Sequence, residues 1–227
     1  LVPGLALAGR RDADPRRARI TVGHALSHST GFACNDDDEN SPGQEDRMYR
    51  QVEQPDWYRY ALVLPMANDP GSTWSYCTAG INLAGAMIAT TGKVRLLDFF
   101  DQRVATPLQM KSWAMNLMPN GDAFAGGGAY LRPRDLLKLG QVYVNGGTWN
   151  GERIVSRRWV ELSTTKQMDV PDGTTDGYGW HLKSLSAKGR EWPVYYASGN
   201  GGQLVVVVPE LDLVVGFTAG NYMRYPI

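Results

Sequence analysis

The stretch QLVVVVPELDLVVGFT, residues 203–218, limits the fold more than any other part of the chain. Two runs rich in valine and leucine flank Pro209-Glu210-Leu211-Asp212, which reads as the tight turn of an antiparallel hairpin. Residues 204–208 do not alternate apolar with polar, so this strand is expected to be covered on both faces. Residues 178–183 and 192–197 supply two more strand-like runs, and the four together predict an antiparallel sheet at the end of the chain.

Upstream the apolar period is helical. Residues 21–27 read as a short helix with Thr21 as its cap, and residues 46–50 and 57–64 as two more, the last stopped by Pro65. In residues 78–89, Ile81, Leu83, Ala84, Met87 and Ile88 form an apolar stripe, and Thr91-Gly92 ends the helix. Residues 94–104 carry Leu96, Leu97, Phe99 and Phe100 ahead of Pro107. Residues 133–144 run from Pro133 in the first turn to Asn145-Gly146-Gly147. Residues 156–164 form a short amphipathic helix capped by Ser156. Residues 35–44 are acidic and turn-rich, Gly126-Gly127-Gly128 is a flexible joint, and Asn150-Gly151 a hairpin turn. The expected architecture is α/β (α+β): a mainly helical part over residues 1–130, then a helix and an antiparallel sheet flanked by helices over 131–227, together one domain.

Charge and length narrow the function. The 227 residues hold 23 basic and 23 acidic side chains, a formal net charge of +0, so the basic face that nucleic acid requires is not expected. The locally basic residues 10–17 are interleaved with aspartates and read as a solvated loop. No apolar run approaches the ~20 residues of a membrane span. Cys34 and Cys77 are too few for a disulfide-rich scaffold; they read either as a pair in an exported protein or as two small buried thiols.

Several motifs offer chemistry. His24 and His28, four apart, could share a helix face near acidic residues and hold a metal, but the metalloprotease pattern needs a glutamate where Ala25 stands. Asp36, Asp38 and Asn40 alternate like a calcium loop, yet the sixth position is Ser41 and the twelfth Arg47, so the match fails. Cys77 could be a nucleophile or a small buried group. Ser163-Thr164-Thr165-Lys166 fits S-x-x-K, a spacing that sets a lysine one turn from a serine, but a pattern with two fixed positions arises readily by chance. Tyr76 stands two residues before a helix, behind the turn Asp69-Pro70-Gly71-Ser72, as a packing residue or as a base held into a cleft. Gly201 and Gly202 sit at the mouth of a buried strand, where ligand could approach the backbone and the Gln203 N–H could serve an oxyanion; a plain glycine turn is the competing reading.

Four segments, in order, resemble the serine β-lactamase and penicillin-binding-protein superfamily, in particular the class C β-lactamase-related esterases and amide hydrolases, the 6-aminohexanoate-dimer hydrolases among them. ITVGHALSHSTGF is similar to I-T-x-x-x-L-L-x-H-x-S-G, and PGSTWSYCTAGINLAGAMIATTG to P-G-x-x-F-x-Y-S-N with its helix. GGGAYLRPRDLLKLGQVYVNGGTWNGERIVS resembles the family's approach to the sheet, and SGNGGQLVVVVPELDLVVGFTAGNY its last strands. The resemblance covers most of residues 20–222 and implies a β-lactamase/transpeptidase-like fold. It implies Tyr76 as a general base working beside a lysine, and Gln203 N–H, next to Gly202, as one oxyanion donor. Asn200, Gly201 and Thr78 would line the cleft, and no metal or organic cofactor is implied.

The family's S-x-x-K normally precedes the first of these segments. Residues 1–19 hold neither serine nor lysine, so a fragment without the N-terminal strands and nucleophile helix is expected. Such a chain alone would be inactive. Thr78 replaces the family's asparagine, and Asn200-Gly201-Gly202 replaces K-T-G or H-T-G, removing a cation and a hydroxyl that hold a substrate carboxylate. A small ester or amide is therefore expected rather than a β-lactam, with Arg224 as a possible substitute charge. A non-catalytic binding or sensor domain is the alternative. Related proteins are often exported, so a periplasmic or secreted location is expected.

Overall fold

A computed structural model describes residues 14–50 and 56–222. The chain divides into two compact units, Leu1–Asp101 with Ala114–Ala129, and Gln102–Trp113 with Tyr130–Ile227. Arg224 lies outside the described residues, as do residues 10–13 of the basic stretch.

The first unit is helical. It contains α1 (Val22–Leu26), α2 (Glu45–Arg50), α3 (Trp57–Val63), α4 (Thr78–Gly92) and α5 (Leu96–Phe100). Thr21 caps α1 as expected: its Oγ1 accepts the His24 N–H, and His24 Nδ1 accepts the Thr21 N–H, both at 3.2 Å. Helix α4 is the centre of the unit. Eight of its residues are buried, and most are small. Small side chains let neighbours close in: a Cβ at Gly85 would lie 2.8 Å from the Ala125 methyl and 2.9 Å from Leu96. Asn82, fully buried, accepts the Ala125 N–H at 3.1 Å and donates to Met118 Sδ at 3.2 Å. The helix runs beyond residue 89 to Gly92, in the expected Thr91-Gly92 terminator, and is capped by Lys93 in the left-handed conformation at φ 49. The helix expected over 94–104 is split into α5 and a wide π turn, Asp101–Ala105.

The second unit is built on one sheet. Outside the main sheet, β1 (Trp113–Met115) and β2 (Ala129–Leu131), whose residues are divided between the two units, pair as a short ribbon, as do β3 (Thr148–Trp149) and β4 (Glu152–Arg153) around Asn150-Gly151. The main sheet is antiparallel, in the order β10 (Leu213–Phe217), β9 (Gln203–Val208), β8 (Arg190–Gly199), β7 (His181–Ala187), β6 (Thr175–Asp176), β5 (Met168–Asp169). Helix α6 (Pro133–Val144) crosses one face at Gly140, where a Cβ would lie 2.6 Å from Val214 and 3.2 Å from both Val205 and Val207. No residue of β9 is exposed, in keeping with its unbroken apolar run. The hairpin turn holds Asp212 at φ 50. Helix α7 (Arg157–Ser163) starts on its Ser156 cap.

The strand expected over 178–183 begins later, at His181, and extends to Ala187. Its first residues have other backbone partners: the Gly177 N–H donates to Trp180 O at 2.8 Å, and the Tyr178 N–H to Ser163 O at 2.9 Å. Beyond Lys183 the strand is Ser-Leu-Ser-Ala and exposed, so its sequence carries a weak apolar signal.

Candidate active site

In the first unit, residues 73–77 form an irregular segment between the Asp69–Ser72 turn and α4. Two distant loops fix it. The Ser75 N–H donates to His28 O at 2.8 Å, and its hydroxyl to Cys34 O at 2.7 Å. The carbonyl of Tyr76 accepts the Asp36 N–H at 2.9 Å. The Cys77 N–H donates to His28 Nδ1 at 3.2 Å, and the Thr78 N–H to Asp36 Oδ2 at 2.6 Å. Cys34 and Cys77 are joined in a disulfide, with Cα atoms 5.5 Å apart. Of the two sequence readings, pairing holds, and Cys77 has no thiolate to offer as nucleophile.

Within this fixed segment Tyr76 is 37% exposed, against 3% for both Cys77 and Thr78. Its ring lies on the His28 imidazole, centroids 4.6 Å apart and planes at 30°, and Trp74 meets the same imidazole edge-on at 5.9 Å.

Asp36 organises the acidic loop. Its second oxygen, Oδ1, accepts the Glu45 N–H at 2.9 Å, so one carboxylate caps the first turns of both α2 and α4. Burial pushes its carboxyl above the ordinary range, while the Thr78 and Glu45 amides pull the other way. Thr78 turns inward, its hydroxyl 3.4 Å from Glu45 Oε2. Among the described residues no group of three His, Cys, Asp or Glu is arranged to hold a metal. The Nδ1 atoms of His24 and His28 both accept backbone N–H groups.

Ser163-Thr164-Thr165-Lys166 lies in the second unit and is not poised for attack. Ser163 is fully buried and its hydroxyl donates to Trp159 O at 2.7 Å. Lys166 pairs with Asp169 at 2.5 Å.

The glycine turn between β8 and β9 also belongs to the second unit. Asn200 is exposed. Gly201 and Gly202 adopt φ 86 and 91, and the Gly202 N–H donates to Gly199 O at 3.3 Å. Residues 219–222 lie along it: Gln203 Nε2 donates to Ala219 O at 2.5 Å, and the Asn221 N–H to Gly201 O at 3.0 Å. A Cβ on Gly201 would sit 2.6 Å from the Tyr222 ring. Glycine is therefore required there by backbone conformation and by Tyr222.

Sequence reasoning missed His28 and Asp36 as the residues that hold the Tyr76 segment. The hints were their place in the two motifs first weighed as metal ligands and, for His28, its match to the histidine of I-T-x-x-x-L-L-x-H-x-S-G.

The fold is that of the penicillin-binding and β-lactamase-like serine hydrolases. The octameric penicillin-binding-protein homologue from Pyrococcus abyssi superposes with a TM-score of 0.69 at 22% identity, over 91% of this chain and 53% of its own. A family VIII carboxylesterase superposes with a TM-score of 0.66 at 18% identity, over 91% of this chain and 66% of its own. In sequence, the 6-aminohexanoate-dimer hydrolase of Paenarthrobacter ureafaciens is 23% identical over 163 residues, 69% of this chain and 42% of that protein. The β-lactamase family model matches residues 2–221. The chain belongs to the β-lactamase family. It spans less than half of the curated relative and about half of the Pyrococcus protein.

Proposed function

We propose that the whole protein is a serine hydrolase that cleaves a small ester or amide through an acyl-serine intermediate, with Tyr76 as general base. The exposed Tyr76 side chain, on a segment fixed by His28, Asp36 and the disulfide, carries this reading. A phenol titrates near ~10, so it must work beside a cation, and the lysine of an S-x-x-K segment would supply one. That segment is not Ser163-Thr164-Thr165-Lys166, whose serine is buried and whose lysine is paired. The Gln203 N–H, beside Gly202, is proposed as an oxyanion donor on the strength of the family resemblance. The disulfide supports a periplasmic or secreted location, since such bonds persist in oxidising compartments.

Asn200 and Gly201 bring neither charge nor hydroxyl to a substrate carboxylate, which favours uncharged esters and amides. The whole protein assayed with a p-nitrophenyl ester, a p-nitroanilide and a chromogenic cephalosporin should turn over the ester or the anilide at least tenfold faster, in kcat/KM, than the cephalosporin. Faster cleavage of the cephalosporin than of both others would overturn the substrate assignment.

A further inference from the structure

We propose that His28 is the positioning residue for Tyr76, an inference that rests on Tyr76 being the base. Three contacts from this one residue reach three consecutive positions. Its carbonyl accepts the Ser75 N–H at 2.8 Å, its ring lies on the Tyr76 ring at 4.6 Å, and its Nδ1 accepts the Cys77 N–H at 3.2 Å. The tyrosine is thus held on both sides through its backbone and on one face through its ring. An Nδ1 that accepts an N–H carries no proton itself.

His28 holds this place at a cost. Its φ is 52, in the left-handed region where only glycine, asparagine, aspartate and histidine are common. Glycine or asparagine would relax the backbone there. Neither brings an aromatic ring to the face of Tyr76, and glycine brings no acceptor to Cys77. Trp74 meets the imidazole edge-on at 5.9 Å and lies 6.4 Å from the Tyr76 ring, so the three rings form one cluster that helps hold the imidazole in place. A base must keep its oxygen within a fraction of an ångström of the proton it takes, and an error of about 1 Å can cost roughly 100-fold in rate.

The test uses the whole protein, a p-nitrophenyl ester and the variants His28→Ala, His28→Asn and Tyr76→Phe, with tyrosine rings labelled with 13C. Asparagine tolerates the left-handed backbone and can accept the Cys77 N–H, so it keeps the comparison open if the alanine variant does not fold. His28→Ala should lower kcat about 10- to 100-fold with KM within about twofold. His28→Asn should recover part of that loss, and in both variants the Tyr76 ring resonance, identified by its absence in Tyr76→Phe, should shift. If kcat stays within twofold of wild type in His28→Ala, or His28→Asn if alanine does not fold, while Tyr76→Phe abolishes turnover, Tyr76 keeps its role and His28 loses its own. If Tyr76→Phe is itself fully active, the base assignment fails. The resonance then decides: an unshifted Tyr76 signal in the His28 variants overturns the positioning role whatever the activity.

Discussion

Replacing Tyr76 by phenylalanine in the whole protein is expected to lower kcat/KM for an ester substrate by about 10²- to 10⁴-fold, the span that a general base contributes. The change removes one oxygen. The ring that rests on His28 is kept, and the hydrogen bonds that fix residues 75–78 come from backbone groups and from Ser75. At 37% exposure the side chain leaves no cavity when trimmed by a hydroxyl, so the melting temperature should stay within about 2 °C of wild type. Steady-state kinetics beside a thermal melt separate the two effects. A variant that melts normally and retains wild-type kcat/KM would make Tyr76 a surface aromatic.

The second large effect is on stability. Cys34 and Cys77 are 43 residues apart in sequence, and closing a loop of that length stabilises a fold by roughly 3–4 kcal/mol in the chain-entropy account. The bond also ties the loop that carries Asp36 to the residue before α4. The Cys34→Ala, Cys77→Ala double variant is therefore expected to melt roughly 6–16 °C lower, at the 2–4 °C per kcal/mol typical of a domain this size. Turnover should fall as well, because Asp36 and His28 lose part of their registration on residues 75–78. Scanning calorimetry of the oxidised protein against the double variant measures the first effect. Equal melting temperatures would mean that the bond does not form in solution.

Much of the fold was legible where local chemistry and period agreed. Strand β9 and helix α6 lie where the valine run and the Pro133-to-Gly146 punctuation set them. The caps Thr21 and Ser156 also stand as read. Reading failed where distant backbone partners decided. Strand β7 starts late because the Tyr178 N–H bonds to Ser163 O, a partner outside the stretch from which the strand was read. The pairing of Cys34 with Cys77 stayed open because two cysteines carry no information on their own distance. The supports of Tyr76 were hidden for the same reason: His28 and Asp36 reach residues 77 and 78 across 49 and 42 positions. At Gly201 the sequence pattern suggested room for ligand, whereas the Tyr222 ring already accounts for the missing side chain.

The central claim is an acyl-serine mechanism assisted by Tyr76, and covalent trapping tests it most directly. The whole protein would be treated with a fluorophosphonate ester, and the labelled residue located by peptide mass mapping in wild type and in Tyr76→Phe. The expected result is one phosphonylated serine, three residues before a lysine and distinct from Ser163, labelled quickly in wild type and at least tenfold more slowly in Tyr76→Phe. A label on Ser163, no label at all, or equal rates in the two proteins would contradict it.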